Sequence, residues 1–112
     1  MESQRQSKVS RLIQKELSDI FQKQMNTLFA GGIISVTVVR MSPDLGIAKV
    51  YISIFPPERR KELFETVNHQ TKTLRHELGQ RVKNQLRHVP ELHFYIDDSL
   101  DYVQKIDDLL NS

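Results

Sequence analysis

The 112-residue sequence has no cysteine, no tryptophan, only four glycines and no long apolar run. Without cysteine there is neither a disulfide framework nor a thiolate metal site, a composition that fits the cytoplasm. The opening residues Met1 to Ser10 are polar and charged, with no apolar stretch behind them. No apolar run approaches the roughly 20 residues that span a bilayer, so neither secretion nor membrane insertion is expected. Enzyme signatures are missing too: there is no GxxxxGK[ST] phosphate loop, no GxSxG elbow and no cysteine nucleophile. The expectation is a protein that is not an enzyme, takes no small-molecule substrate and carries no cofactor. His69, His76, His88 and His93 form no HExxH pair, and Asp97, Asp98 and Asp101 do not follow the calcium-loop pattern. Helix capping and dipole pairing account for those acids, and no metal is expected.

What is present fits one folded domain over residues 1–112, with 38% hydrophobic and 27% charged residues. A net charge of +2 is weak evidence for a polyanionic partner, but its distribution is uneven. From Lys72 to Arg87, five bases (Lys72, Arg75, Arg81, Lys83, Arg87) face one acid (Glu77), a balance of +4. From Glu91 to Ser112, six acids (Glu91, Asp97, Asp98, Asp101, Asp107, Asp108) face Lys105 alone, a balance of −5.

Apolar residues recur at three- and four-residue steps from Val9 to Leu28, which predicts an amphipathic helix over 4–28 ended by Gly31 and Gly32. Ile33 to Met41 and Ala48 to Phe55 read as strands. Between them, Ser42-Pro43-Asp44-Leu45-Gly46 supplies a fixed φ and a permissive one for an antiparallel hairpin. Pro56-Pro57 closes the second strand. A helical stretch over Glu58 to about His88 is expected to break near Gln70 to Lys72, where the apolar pattern lapses and threonines lower helix propensity. After Pro90, alternation of Leu92, Phe94 and Ile96 marks a third strand, and Asp98 or Ser99 caps a last helix carrying Val103, Ile106, Leu109 and Leu110. The order α-β-β-α-α-β-α excludes a doubly wound sheet and indicates an α+β fold. A three-stranded sheet with helices packed on it describes a single type II KH-like domain. Ile34, Val36, Val38, Val50, Ile52, Ile54, Phe94 and Ile96 should face the helices, with Ile13, Leu17, Phe21, Leu74, Leu78 and Leu86.

Four pieces, Ser42-Pro43-Asp44-Leu45, Ala48-Lys49-Val50-Tyr51-Ile52-Ser53, Leu74-Arg75-His76-Glu77-Leu78-Gly79 and Val89-Pro90-Glu91-Leu92-His93-Phe94, stand in an order and spacing that resembles the ribosome-binding factor A family. Arg5-Gln6-Ser7-Lys8-Val9 is similar to that family's basic helix start, and the resemblance runs from about Arg5 to Leu110. It implies a monomeric bacterial factor that engages the free small ribosomal subunit and its rRNA late in assembly. It also implies support of rRNA maturation, including 5′-end processing, and a role in the cold. The family's Ala-x-Gly kink is replaced here by Gln70-Thr71-Lys72, and its Asp-Pro-Arg before the first strand by Phe29-Ala30-Gly31-Gly32.

Candidate RNA-binding residues follow from charge and spacing. Lys8, Arg11 and Lys15 share one side of the first helix beside Arg5, and Lys72, His76, Lys83 and Arg87 share a side of the later one, with Arg75 and Arg81 in the same stretch. Ammonium and guanidinium groups so placed neutralise phosphates and release counterions, although a stripe of this kind also serves as a solvated face. Arg59-Arg60-Lys61 opposes a helix dipole but has Glu58, Glu62 and Glu65 close by, which favours local pairing. Tyr51, Phe55 and Tyr95 fall on the strand face opposite Val50, Ile52, Phe94 and Ile96, where a packed helix is the more common cover than a stacked base. Two other functions compete with RNA binding: a protein-interaction adaptor without RNA contact, and a small hydrolase acting on precursor RNA.

Overall fold

A capping box starts the first helix, α1 (Gln4–Lys23): the Ser3 hydroxyl accepts from the Gln6 amide at 3.1 Å and the Ser3 amide donates to Gln6 Oε1 at 2.7 Å. The computed structural model describes residues 2–97, so the last expected helix lies outside the described residues. Helix α1 stops at Lys23 and not at Leu28. From Gln24 onward the amides leave the four-residue helical spacing, Met25 bonding Gln22 three residues back and Phe29 bonding Gln24 five back, and the Thr27 hydroxyl bonds Gln24 Oε1 at 2.7 Å. Those turns swing Phe29 into the core, 5.7 Å from Phe21 between ring centroids.

Strands β1 (Ile33–Met41) and β2 (Ile47–Phe55) form the expected antiparallel hairpin, and β3 (Glu91–Ile96) pairs with β2 in parallel, giving the order β1-β2-β3. In the hairpin turn the positive φ falls on Leu45, at 62°, and not on Gly46. The Gly46 amide donates to Asp44 Oδ1 at 3.0 Å, and a Cβ at this position would crowd that carboxylate.

A bulge at Thr37 corrects one core assignment. The register slips between Val36 and Val38, so Val38 is exposed while Val39 and Met41 turn inward. The backbone freed by the bulge is occupied by neighbours: Gln14 Nε2 donates to the carbonyls of Val36 (3.3 Å) and Thr37 (3.2 Å). Ile96 and Leu86 are only partly buried, at the margin of the core.

A short 3-10 turn, Pro57–Arg59, leads into α2 (Arg60–His69), and α3 (Thr71–Val82) follows. The break expected at Gln70 is present, with Gln70 at φ −100°, ψ 11°. Here the Thr71 hydroxyl donates to the carbonyls of Asn68 (2.9 Å) and Val67 (3.2 Å), so a local side chain satisfies the interruption without glycine. Buried residues of all three helices, such as Ile13, Leu17, Leu63, Val67, Leu74 and Leu78, form one cluster with Ile34, Val36, Val50, Ile52 and Phe94. The helices thus cover one face of the sheet, and among the described residues nothing packs on the other.

Candidate RNA interface

Three of the sequence pieces singled out above meet at one end of the sheet. Arg75 of α3 donates through Nε to the Pro90 carbonyl (3.0 Å) and through Nη2 to the Val89 carbonyl (2.6 Å). One turn further on, a Cβ at Gly79 would lie 3.0 Å from the Val89 side chain, so the missing side chain lets the 83–90 segment lie close on α3. The hairpin turn joins them, because the Glu91 amide donates to the Gly46 carbonyl at 2.9 Å. The α1 start is pinned beside the same turn: Gln6 Nε2 donates to the Met41 carbonyl at 3.0 Å, and the Met41 amide donates to Glu2 Oε1 at 3.1 Å.

The product is an open recess of about 510 Å³ whose rim carries Arg5 and Lys8 from α1 and Arg87 and His88 from the segment after α3, with Asp44, Leu45 and Gly46 on the hairpin side. Asp44 is the acid in this ring. Hydrogen bonds from the Ser42 hydroxyl and the Gly46 amide hold its carboxyl below the ordinary aspartate range, so it stays ionised and directed at its own turn. The exposed cations on the rim are separated by an apolar and backbone floor, which suits phosphates in a bent backbone better than a compact small molecule.

The ten candidate residues divide by what they touch. Arg5, Lys8, Arg11 and Lys15 are exposed along α1, and Arg5 and Lys8 reach the recess. Lys72 and His76 are exposed on the side of α3 away from Leu74 and Leu78, with Lys83 just past its end. Arg87 is not on that helical side, because α3 closes at Val82, where the amides of Gln85 and Leu86 both turn back to the Val82 carbonyl. Leaving the helix is what brings Arg87 to Arg5 and Lys8.

Arg81 points to the opposite flank and ties α3 to α1, with Nη1 2.5 Å from Asp19 and 3.2 Å from Glu16. The guanidinium holds the Asp19 carboxyl below its ordinary range, and that carboxylate in turn raises the arginine. Arg75 and Arg81 are therefore braces that set where the other cations lie. Arg59 is also engaged locally, pairing with Glu62 at 3.1 Å and donating to the carbonyls of Ala30 and Phe29, in line with the local reading of its basic run. Neither the recess nor the bracing carbonyls could be read from charge spacing. The readable signals were the capping box Ser3…Gln6 and the small Gly79 on a helix.

Comparison with known proteins shows the family of the chain. The family model described as ribosome-binding factor A matches residues 5–110. The ribosome-binding factor A of Cytophaga hutchinsonii is 50% identical over 111 residues, which is 99% of this chain and 84% of that protein. Among solved structures, the crystal structure of ribosome-binding factor A from Thermus thermophilus superposes with a TM-score of 0.67 at 23% identity, covering 81% of this chain and 94% of that one. A Thermus thermophilus ribosome-binding factor A homology model, fitted into the cryo-electron-microscopy map of a 30S complex, gives a TM-score of 0.61 at 21% identity over 88% of this chain and 97% of that one. The same pieces that build the recess, from the α1 start through the hairpin turn to the Val89-Pro90 segment, lie within the matched stretch, and the chain belongs to the ribosome-binding factor A family.

Proposed function

We propose that this protein binds the free small ribosomal subunit through its rRNA, acting over residues 1–112 as a monomeric, non-enzymatic assembly factor of the cytoplasm. The observation that carries the proposal is the convergence of Arg5, Lys8 and Arg87 on one recess, with Lys72 and His76 exposed along the neighbouring helix and Lys83 just past its end. Arg11 and Lys15 extend the cationic surface along α1, and Arg75 and Arg81 hold its parts in place. Family membership supports the ribosome as partner, as does the related Thermus factor fitted in a 30S complex.

Phosphate contacts of this kind orient a protein on folded RNA without reading sequence. Bound in that way, the protein stabilises one arrangement of immature rRNA late in assembly, which supports its maturation, 5′-end processing and growth in the cold. No step in this role requires an activated nucleophile or a metal, and no group of three or more metal-ligating side chains occurs among the described residues. The test is co-sedimentation with purified small and large subunits as salt rises. The proposal expects selective binding to the small subunit that weakens steeply with salt. Binding insensitive to salt would favour a protein-interaction adaptor, and precursor cleavage by the purified protein alone would favour a hydrolase.

A further inference from the structure

The face of the sheet turned away from the helices carries two rows in register across all three strands. One row is polar and basic: the cations Arg40 on β1 and Lys49 on β2 lie opposite each other, Lys49 lies opposite the imidazole of His93 on β3, and all three are exposed. Like charges directly opposed across strands destabilise a sheet, so stability alone does not account for the row. Glu91 Oε1 lies 3.4 Å from His93 Nε2 at one end of the row, whereas Arg40 and Lys49 have no ion pair among the described residues. The adjacent row is apolar and aromatic, with Val38 opposite Tyr51 and Tyr51 opposite Tyr95. The two tyrosine rings are stacked, 5.3 Å between centroids at 27°, and Tyr95 is 40% exposed on β3, which has no strand beyond it among the described residues. Beside these rows the hairpin opens a hollow of about 350 Å³ between Arg40, Pro43, Ile47, Lys49 and Tyr51.

We infer that this open sheet face is a second nucleic-acid site, which takes a short single-stranded RNA segment. Its bases continue the Tyr51–Tyr95 stack at the β3 edge, and its phosphates lie along Arg40 and Lys49. Stacking needs an aromatic face open at one side, and a backbone one or two residues away needs cations in a line; the two rows supply both. A duplex could not use the tyrosines, because its bases are already stacked on one another. The inference shares only the ligand class, RNA, with the reading of the recess, which lies at the end of the sheet and uses other residues.

The test uses the full chain and a fluorescein-labelled 12-nucleotide oligouridylate, with binding read by fluorescence anisotropy at low salt. Tyr51→Leu/Tyr95→Leu and Arg40→Glu/Lys49→Glu should each weaken binding by between about fivefold and a hundredfold. Lys8→Glu/Arg87→Glu should weaken it less than either sheet-face variant does while weakening binding to small subunits, so the two sites fail separately. If a sheet-face variant does not fold, a 4-thiouridine oligonucleotide cross-linked to the unaltered chain should attach to Tyr95 or Tyr51. Equal affinity of wild type and both sheet-face variants would overturn the site, as would cross-links confined to Arg5, Lys8 or Arg87. So would RNA-free amide shifts in residues 98–112 of the tyrosine variant, because these would give the face to the chain's own acidic end.

Discussion

Replacing Arg75 by alanine removes two hydrogen bonds that tie the Val89-Pro90 stretch to α3. The Val89 carbonyl is at the surface, where water takes over from the lost donor, so that bond contributes about 0.5 kcal/mol. The bond to Pro90, a buried residue, leaves a carbonyl that water reaches poorly and contributes about 1.5 kcal/mol. The sum is about 2 kcal/mol, which at a urea slope of about 2 kcal/mol/M lowers the denaturation midpoint by about 1 M. Arg75→Lys keeps the charge but lacks the planar fork that reaches two carbonyls at once, and should recover less than about half of the loss. Amide exchange in the 83–90 segment should rise in both variants, and with it the position of Arg87 on the recess should loosen. An unfolding free energy for Arg75→Ala within about 0.5 kcal/mol of wild type would refute the bracing role. Full recovery in Arg75→Lys would show that charge, not the two-carbonyl geometry, is what matters.

Phe94→Ala removes a buried ring that sits 6.1 Å from Phe21, and should cost about 3 to 5 kcal/mol in urea unfolding; an unchanged midpoint would reject its place in the core. Gly32→Ala sets a Cβ against the Leu63 side chain and the Phe29 carbonyl, and should lower stability by about 1 to 3 kcal/mol in the same assay. Asp19, Asp44 and Glu62 are each held below their ordinary range by hydrogen-bonded partners, led by Arg81, Ser42 and Arg59 respectively. Because the folded values are the lower ones, their contribution is complete above the ordinary values and is lost as pH falls through the folded ones. Thermal melts should therefore decline below about pH 4, and Asp19→Asn should flatten part of that decline.

The elements that pattern could reveal were those whose period is uninterrupted. Alternation in Ala48 to Phe55 and in Leu92 to Ile96 gave both strands, and the helical repeat of Val9, Ile13, Leu17 and Ile20 gave the buried side of α1. Alternation failed at Thr37, because a bulge inserts a residue and nothing in Val36-Thr37-Val38 distinguishes a bulged strand from a regular one. The length of α1 was overestimated because Met25 and Leu28 keep helical spacing while the backbone has already turned, under tertiary pull that buries Phe29. At the candidate site, spacing placed Lys72, His76 and Lys83 together but could not separate Arg75 and Arg81, whose partners are backbone carbonyls and acids far off in sequence. Arg87 was misplaced on a helical side because Leu86 prolongs the apolar pattern past the true end of α3, and the recess depends on that departure.

The most direct test of the account is co-sedimentation of the triple variant Arg5→Glu/Lys8→Glu/Arg87→Glu with small ribosomal subunits. All three side chains are exposed, so the variant should fold with a urea midpoint close to wild type. If the recess grips rRNA phosphates, the variant should no longer sediment with the subunit at moderate salt. Each corresponding single change to alanine should lower the slope of log affinity against log salt by roughly one unit per lost phosphate contact. A folded triple variant that sediments at wild-type strength, with the wild-type salt slope, would contradict the account.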